Sequence, residues 1–266
     1  MKENKAFSIV LLFAVTLFMT CSENPSEPTV EAPSIPPHST FVMDFDAFSS
    51  TSLSKAAAKS NWLYAAGNVA VWNTVIVVTL AVPVAAFAES FNHDPVFQAD
   101  GSWLWSYTFQ VLGLSYTAKL YGTLQVDGVK WDMYISQQGL YTDFHWFSGK
   151  SDLLLTSGYW ELNQKPADPK PFLNIDWHRS NTDLSGDIKY TNIIPDSDEN
   201  GGYIFQAFNQ PAPFTGMYDI YAASSENLTQ IKWDYETTAG RVLDPKYFGD
   251  DLWHCWDENL DDTECQ

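Results

Sequence analysis

Between Lys59 and Glu89 the chain carries no charged residue, and this one stretch constrains the fold more than any other. Its centre, residues 69–88, is mostly Ala, Val, Leu, Ile and Phe, with apolar residues at every phase of a helical turn. A surface helix shows one apolar stripe and one polar one, so a helix apolar all round is expected to be hidden on all sides. Ser49 to Ser52 offer N-caps and Ala56 to Ala58 are the strongest helix formers, while Asn92-His93-Asp94-Pro95 ends the run. The expected helix therefore covers about 53–91, with Pro83 kinking it or opening a new turn.

A run of this length also suits a bilayer, which needs about 20 apolar residues. Against a span, no Lys or Arg cluster follows the run to set its orientation, and the flank after it is acidic. The chain that follows also has apolar faces in search of a partner. From Gly101 the period of the sequence changes to two. Trp103, Trp105, Tyr107, Phe109 and Val111 share one face, then Leu114, Tyr116, Ala118, Leu120, Leu124 and Val126, then Val129, Trp131, Met133 and Ile135. Asp127-Gly128 is a hairpin signal between the second and third of these runs. Further runs lie at Phe144 and Trp146, Thr156 to Leu162, Leu173 to Trp177, Leu184 to Tyr190, Tyr203 to Phe208, Tyr218 to Ala222 and Thr229 to Tyr235. About nine or ten strands with no helical pattern between them make an antiparallel meander. The expected fold is mainly β with one long buried helix, the meander curled into an open or nearly closed barrel around it. At this level of pattern it is similar to the unclosed half-barrels of bacterial carriers that shuttle or receive lipoproteins.

The start of the chain reads as an export signal over residues 1–20, with Lys2 and Lys5 before the apolar run Phe7 to Met19. That run ends at Phe18-Met19-Thr20-Cys21. It resembles the lipobox of bacterial lipoproteins, with Phe18 and Thr20 standing where that family prefers Leu and a small residue. The resemblance covers these twenty-odd residues and implies lipidation of Cys21, hence a membrane anchor and a place in the bacterial cell envelope. The outer membrane or the cell surface is expected rather than the inner membrane. Residues 21–40 are rich in Pro, Ser and Glu and read as a tether, leaving 41–266 as a single β-rich domain. Phe41 to Phe45 alternates and reads as a first strand laid against that domain.

With 14 Lys+Arg against 33 Asp+Glu the net charge is −19, which excludes a nucleic-acid partner that needs clustered cations. Cys255 and Cys265 stand ten residues apart in the acidic C-terminal tail, and in an exported domain they are expected to form a disulfide. Asp196, Asp198 and Asn200, before Gly201, match the first half of a calcium loop, but Ala207 stands where the bidentate Glu belongs. An acidic hairpin loop is the expected reading. Asp143 with His145, and Asp176 with His178, each place a carboxylate and an imidazole on the outward face of a strand, where a solvated polar face accounts for them. No catalytic fingerprint is present in the sequence and no cofactor is implied.

The function expected from these features is a non-enzymatic interaction or structural role at the membrane, with a protein or a hydrophobic ligand as partner. A carrier is the alternative, holding a lipid or acyl chain between helix and sheet against Trp103, Trp105, Trp131, Trp177 and Trp233. The Ala-rich helix facing these Trp residues instead favours a filled, dry core. A glycan hydrolase using paired acids is the third reading, and the sequence does not show which two acids would face each other.

Overall fold

The computed structural model describes residues 31–48 and 60–265. Residues 1–30, with the expected export signal and Cys21, lie outside that range, as do 49–59, with the first turns of the expected helix. The packed unit begins at Ala32. A helix α1 (Ser60–Ser90) precedes fourteen strands: β1 (Val96–Phe97), β2 (Trp103–Val111), β3 (Leu114–Gln125), β4 (Gly128–Gln137), β5 (Tyr141–Ser151), β6 (Ser157–Lys165), β7 (Asp168–Arg179), β8 (Gly186–Asn192), β9 (Tyr203–Phe208), β10 (Gly216–Ala222), β11 (Asn227–Trp233), β12 (Gly240–Leu243), β13 (His254–Trp256) and β14 (Asp262–Thr263). A four-residue helix α2 (Pro245–Phe248) sits between β12 and β13. The strands form one antiparallel sheet in simple sequence order, and the sheet does not close. The strands beyond the nine or ten expected are β1, β12, β13 and β14, each of two to four residues. Runs that short hold too few alternations to betray a period of two.

Each long strand buries alternate residues on one face, as its sequence pattern dictates. Leu114, Leu124, Val126 and Leu184 depart from that expectation, being exposed at hairpin ends where the sheet no longer covers them. In β5 a bulge opposite Met133 and Tyr134 puts both Trp146 and Phe147 in the core, so Phe147 escapes the alternation rule.

The register also couples glycines to tryptophans. Gly122, Gly149, Gly158, Gly216 and Gly240 lie directly opposite Trp131, Trp160, Trp177, Trp233 and Trp256. Each indole lies flat over its glycine, so closely that a Cβ would meet ring carbons at 2.4–2.8 Å. The hydrogen on each Cα makes room for the largest side chain on the neighbouring strand.

Residues 32–48 correct the expected tether and first strand. They run across the apolar face of the sheet in irregular backbone with two short 3-10 turns, at His38–Thr40 and Asp46–Phe48, and pair with no strand. Side chains of the sheet hold their backbone instead. Tyr190 Oη accepts from Met43 N at 2.7 Å and donates to Phe41 O at 3.0 Å. Gln206 accepts from Asp44 N and donates to Asp44 O, which also accepts from Tyr218 Oη. Phe41 is fully buried against Phe87, Phe147 and Trp160, and Phe48 packs on Trp62, Trp233 and Trp256. Packing already includes Ala32, Ile35 and Pro36, inside the stretch that reads as tether.

This segment explains why α1 is not hidden on all sides, as the sequence led one to expect. Residues 32–48 cover much of the inner face of the sheet, so α1 packs on them and on the parts of the sheet they leave open, β2 and β12–β14 among them. Trp62, Ala65, Ala66, Val69, Ile76, Leu80, Pro83, Ala86 and Phe87 form its one buried stripe. Only 28% of its most apolar window is buried, and Val71, Val75, Val77 and Val78 face outward. The helix runs unbroken through Pro83. Its last turns lie on β2, where Tyr107 Oη donates to Ala86 O at 2.5 Å. Its first turns lie on β12, β13 and β14, through Asn61 to Asp262 and Cys255 O, and Tyr64 to Asp244. Thus α1 joins the two ends of the open sheet.

Candidate functional site

Asp244 is the most constrained of the buried polar groups. Its carboxylate accepts from Tyr64 Oη at 2.5 Å, Thr229 Oγ1 at 2.5 Å and Asn227 Nδ2 at 3.0 Å, and it caps α2 through Lys246 N and Tyr247 N. Burial alone would raise its pKa, but the bonds from Thr229, Tyr64 and Asn227 outweigh burial and hold it below the usual carboxylate value. In return, burial and the Asp244 carboxylate push the Tyr64 phenol up to about 12. With every oxygen engaged by the fold, this group clamps α1 to the far end of the sheet.

The candidate residues read from the sequence are placed as follows. Cys255 and Cys265 form a disulfide with an S–S distance of 2.04 Å. Asp196, Asp198 and Asn200 lie in the β8–β9 loop, where Glu199 turns away to hold Ala223 N and Ser224 Oγ. No group of three metal-ligating side chains exists among the described residues. The two Asp–His pairs are separated by β6: His145 bonds Asp132 at 3.1 Å, Asp143 pairs with Lys119 at 2.9 Å, and His178 bonds Asp187 at 2.9 Å. All are cross-strand pairs on the outer face. Trp105, Trp131, Trp177 and Trp233 are fully buried on the inner face, while Trp103 is half-buried beside Phe97. Phe41 and Phe48 sit among the rings of that face.

What the sequence did not reveal is a recess of about 700 Å³ at the end of the sheet where β9 runs into β10 and β11 into β12. Its walls come from four distant parts of the chain: Ser39, Val42 and Asp44; Ile188; residues between Gln206 and Thr215; and Asp234 to Glu236. No Lys or Arg lines it. Asp234 is fixed by bonds from Thr215, Glu236 N and Thr237, the backbone bond from Thr237 first among the causes that hold its carboxyl low. Burial, then the charge of Asp44, pushes the Tyr235 phenol up to about 12. Its carboxylates, amides and phenol, set among Val42, Ile188, Phe208 and Ala212, accept hydrogen-bond donors and disfavour anions.

Compared with known proteins, the chain matches no family model, no curated protein and no solved structure. The reading of function therefore rests on chemistry alone. A glycosidase pair needs one carboxyl raised by its surroundings. In the recess Asp234 is held low instead. The carboxyl that burial does raise, Asp219, lies on the outer face of β10, where it accepts from Gln230 at 3.2 Å.

Proposed function

We propose that this chain is a membrane-anchored lipoprotein of the cell envelope whose folded domain serves as a non-enzymatic interaction or structural module. The observation that carries this reading over a lipid carrier is the filling of the sheet's inner face by residues 32–48. On that face Phe41 packs against Trp160, Phe45 against Tyr218, and Phe48 against Trp233 and Trp256, so rings of the same chain occupy space an acyl chain would need. The space left between α1 and this segment is about 430 Å³, and its walls mix His38, Asp44, Asp46 and Asn73 with Val42, Met43, Phe45, Ile76 and Val77. A carrier needs a comparable space with mostly apolar walls. The anchor reading rests on the apolar run that ends at Cys21.

The test is Cys21→Ser. Wild type should fractionate with membranes, and the variant should be recovered mostly in the soluble fraction. Organic extraction of the purified variant, followed by mass spectrometry, should release no stoichiometric lipid. A variant that still fractionates as an integral membrane protein would mean that residues 69–88 span the bilayer. A stoichiometric co-purifying lipid would establish the carrier.

A further inference from the structure

We propose that the outward stripe of α1, formed by Ala70, Val71, Thr74, Val75 and Val78, rests on the surface of a neutral lipid bilayer. The proposal builds on the anchored reading above and adds the face by which the domain meets the membrane.

Three observations point to an apolar occupant. The stripe is bare: Val71 is 64% exposed, Val75 49% and Val78 73%. It is also free of charge, because no charged residue occurs between Lys59 and Glu89, although a helix facing water ordinarily carries charges on that side. Three polar side chains near it are satisfied within the helix itself. Thr74 Oγ1 donates back to Ala70 O at 2.8 Å, Thr79 Oγ1 to Val75 O at 2.6 Å, and Asn68 Nδ2 to Tyr64 O at 3.0 Å. Back-bonding of this kind costs a helix little in lipid, where every polar group must find its partner within the protein.

The chain outside the structure selects lipid as that occupant. Cys21 stands eleven positions before Ala32, the start of the packed unit. Fully extended, that leash reaches at most ~40 Å, so an anchored domain is always within contact of the bilayer. A second copy is disfavoured, since it would bring together two chains of net charge −19. The same acidity, with Asp44 and Asp46 beside the inner edge of α1, selects neutral over anionic headgroups. The stripe is short, so it orients an anchored domain rather than holding a free one.

The experiment uses the full chain, purified from membranes and reconstituted into phosphatidylcholine vesicles whose acyl chains carry bromine. A fluorescent amino acid replaces Val78 in one form and Leu140, an exposed hairpin-tip residue, in another. Emission from position 78 should be quenched several-fold and emission from position 140 should not. Adding anionic phosphatidylglycerol should weaken the quenching. With Val71→Asp and Val78→Asp in one chain, a probe at Val75 should lose its quenching while the circular dichroism is unchanged. Vesicle-bound protein with position 78 as unquenched as 140 overturns the stripe and leaves the anchor standing. Protein that does not float with the vesicles overturns both. A position 78 shielded from aqueous iodide but not quenched by brominated lipid, in protein that sediments as a dimer, replaces lipid with a second copy.

Discussion

Replacing Phe41 by Ala tests the feature on which the functional reading turns, the residency of segment 32–48 on the sheet. Phe41 has no exposed surface, and its ring centroid lies 4.9 Å from Phe87, 4.9 Å from Phe147 and 5.7 Å from Trp160. Removing a fully buried Phe side chain forfeits about 2–3 kcal/mol of transfer free energy. The three ring contacts and the cavity left behind raise the total to ~3–5 kcal/mol, since the surrounding aromatic side chains come from separate elements and cannot all close on the gap. Urea unfolding followed by tryptophan fluorescence should show the midpoint falling by more than about 1 M with little change in slope. Ser39→Ala, at an exposed position two residues earlier, should stay within about 0.5 kcal/mol of wild type. A loss below about 1 kcal/mol for Phe41→Ala would refute the argument. The segment would then be a loosely seated strand that a hydrophobic ligand could displace.

Gly158→Ala places a Cβ 2.4 Å from Lys150 O and 2.5 Å from Trp177 Cζ2, and should lower stability by about 2–3 kcal/mol in a thermal melt. Gly67→Ala, with nothing within 4 Å of its Cβ, should instead raise it by ~0.5–1 kcal/mol, because Ala loses less backbone entropy than Gly in a helix. Asp244→Asn should cost about 3 kcal/mol at pH 7, measured by chemical denaturation, since its partners lose an ionised acceptor. Asp244 has its pKa lowered by folding, so its contribution is present above the ordinary carboxylate value and fades as pH falls through the folded one; the gap between wild type and variant should narrow below about pH 4. Tyr64 has the opposite sign: raised to about 12, its contribution is whole below the ordinary phenol value and should be lost as pH climbs towards 12.

The antiparallel meander, the hairpin at Asp127-Gly128 and the pairing of Cys255 with Cys265 were all legible in the sequence. Each follows from chemistry confined to a few neighbouring residues: a period of two, a turn dipeptide, or two thiols a short loop apart. The long helix was legible for the same reason, since an uncharged run ended by Asn, Asp and Pro leaves little else for the backbone to do.

Which face of that helix is buried was decided only by tertiary structure. Composition assigns no face to a helix that is apolar all round, so the outward position of Val71 and Val78 follows from what already lies beneath α1. That layer, residues 32–48, reads as linker because its backbone partners are the side chains of Tyr190, Gln206 and Tyr218, some 150 or more positions away. The fit of Gly158 under Trp177 needs the strand register, and the recess around Asp44, Ile188, Gln206 and Glu236 needs four segments to converge. Local sequence sets the period and the ends of an element. What it packs against is set by contacts distant in sequence, which no window of neighbouring residues contains.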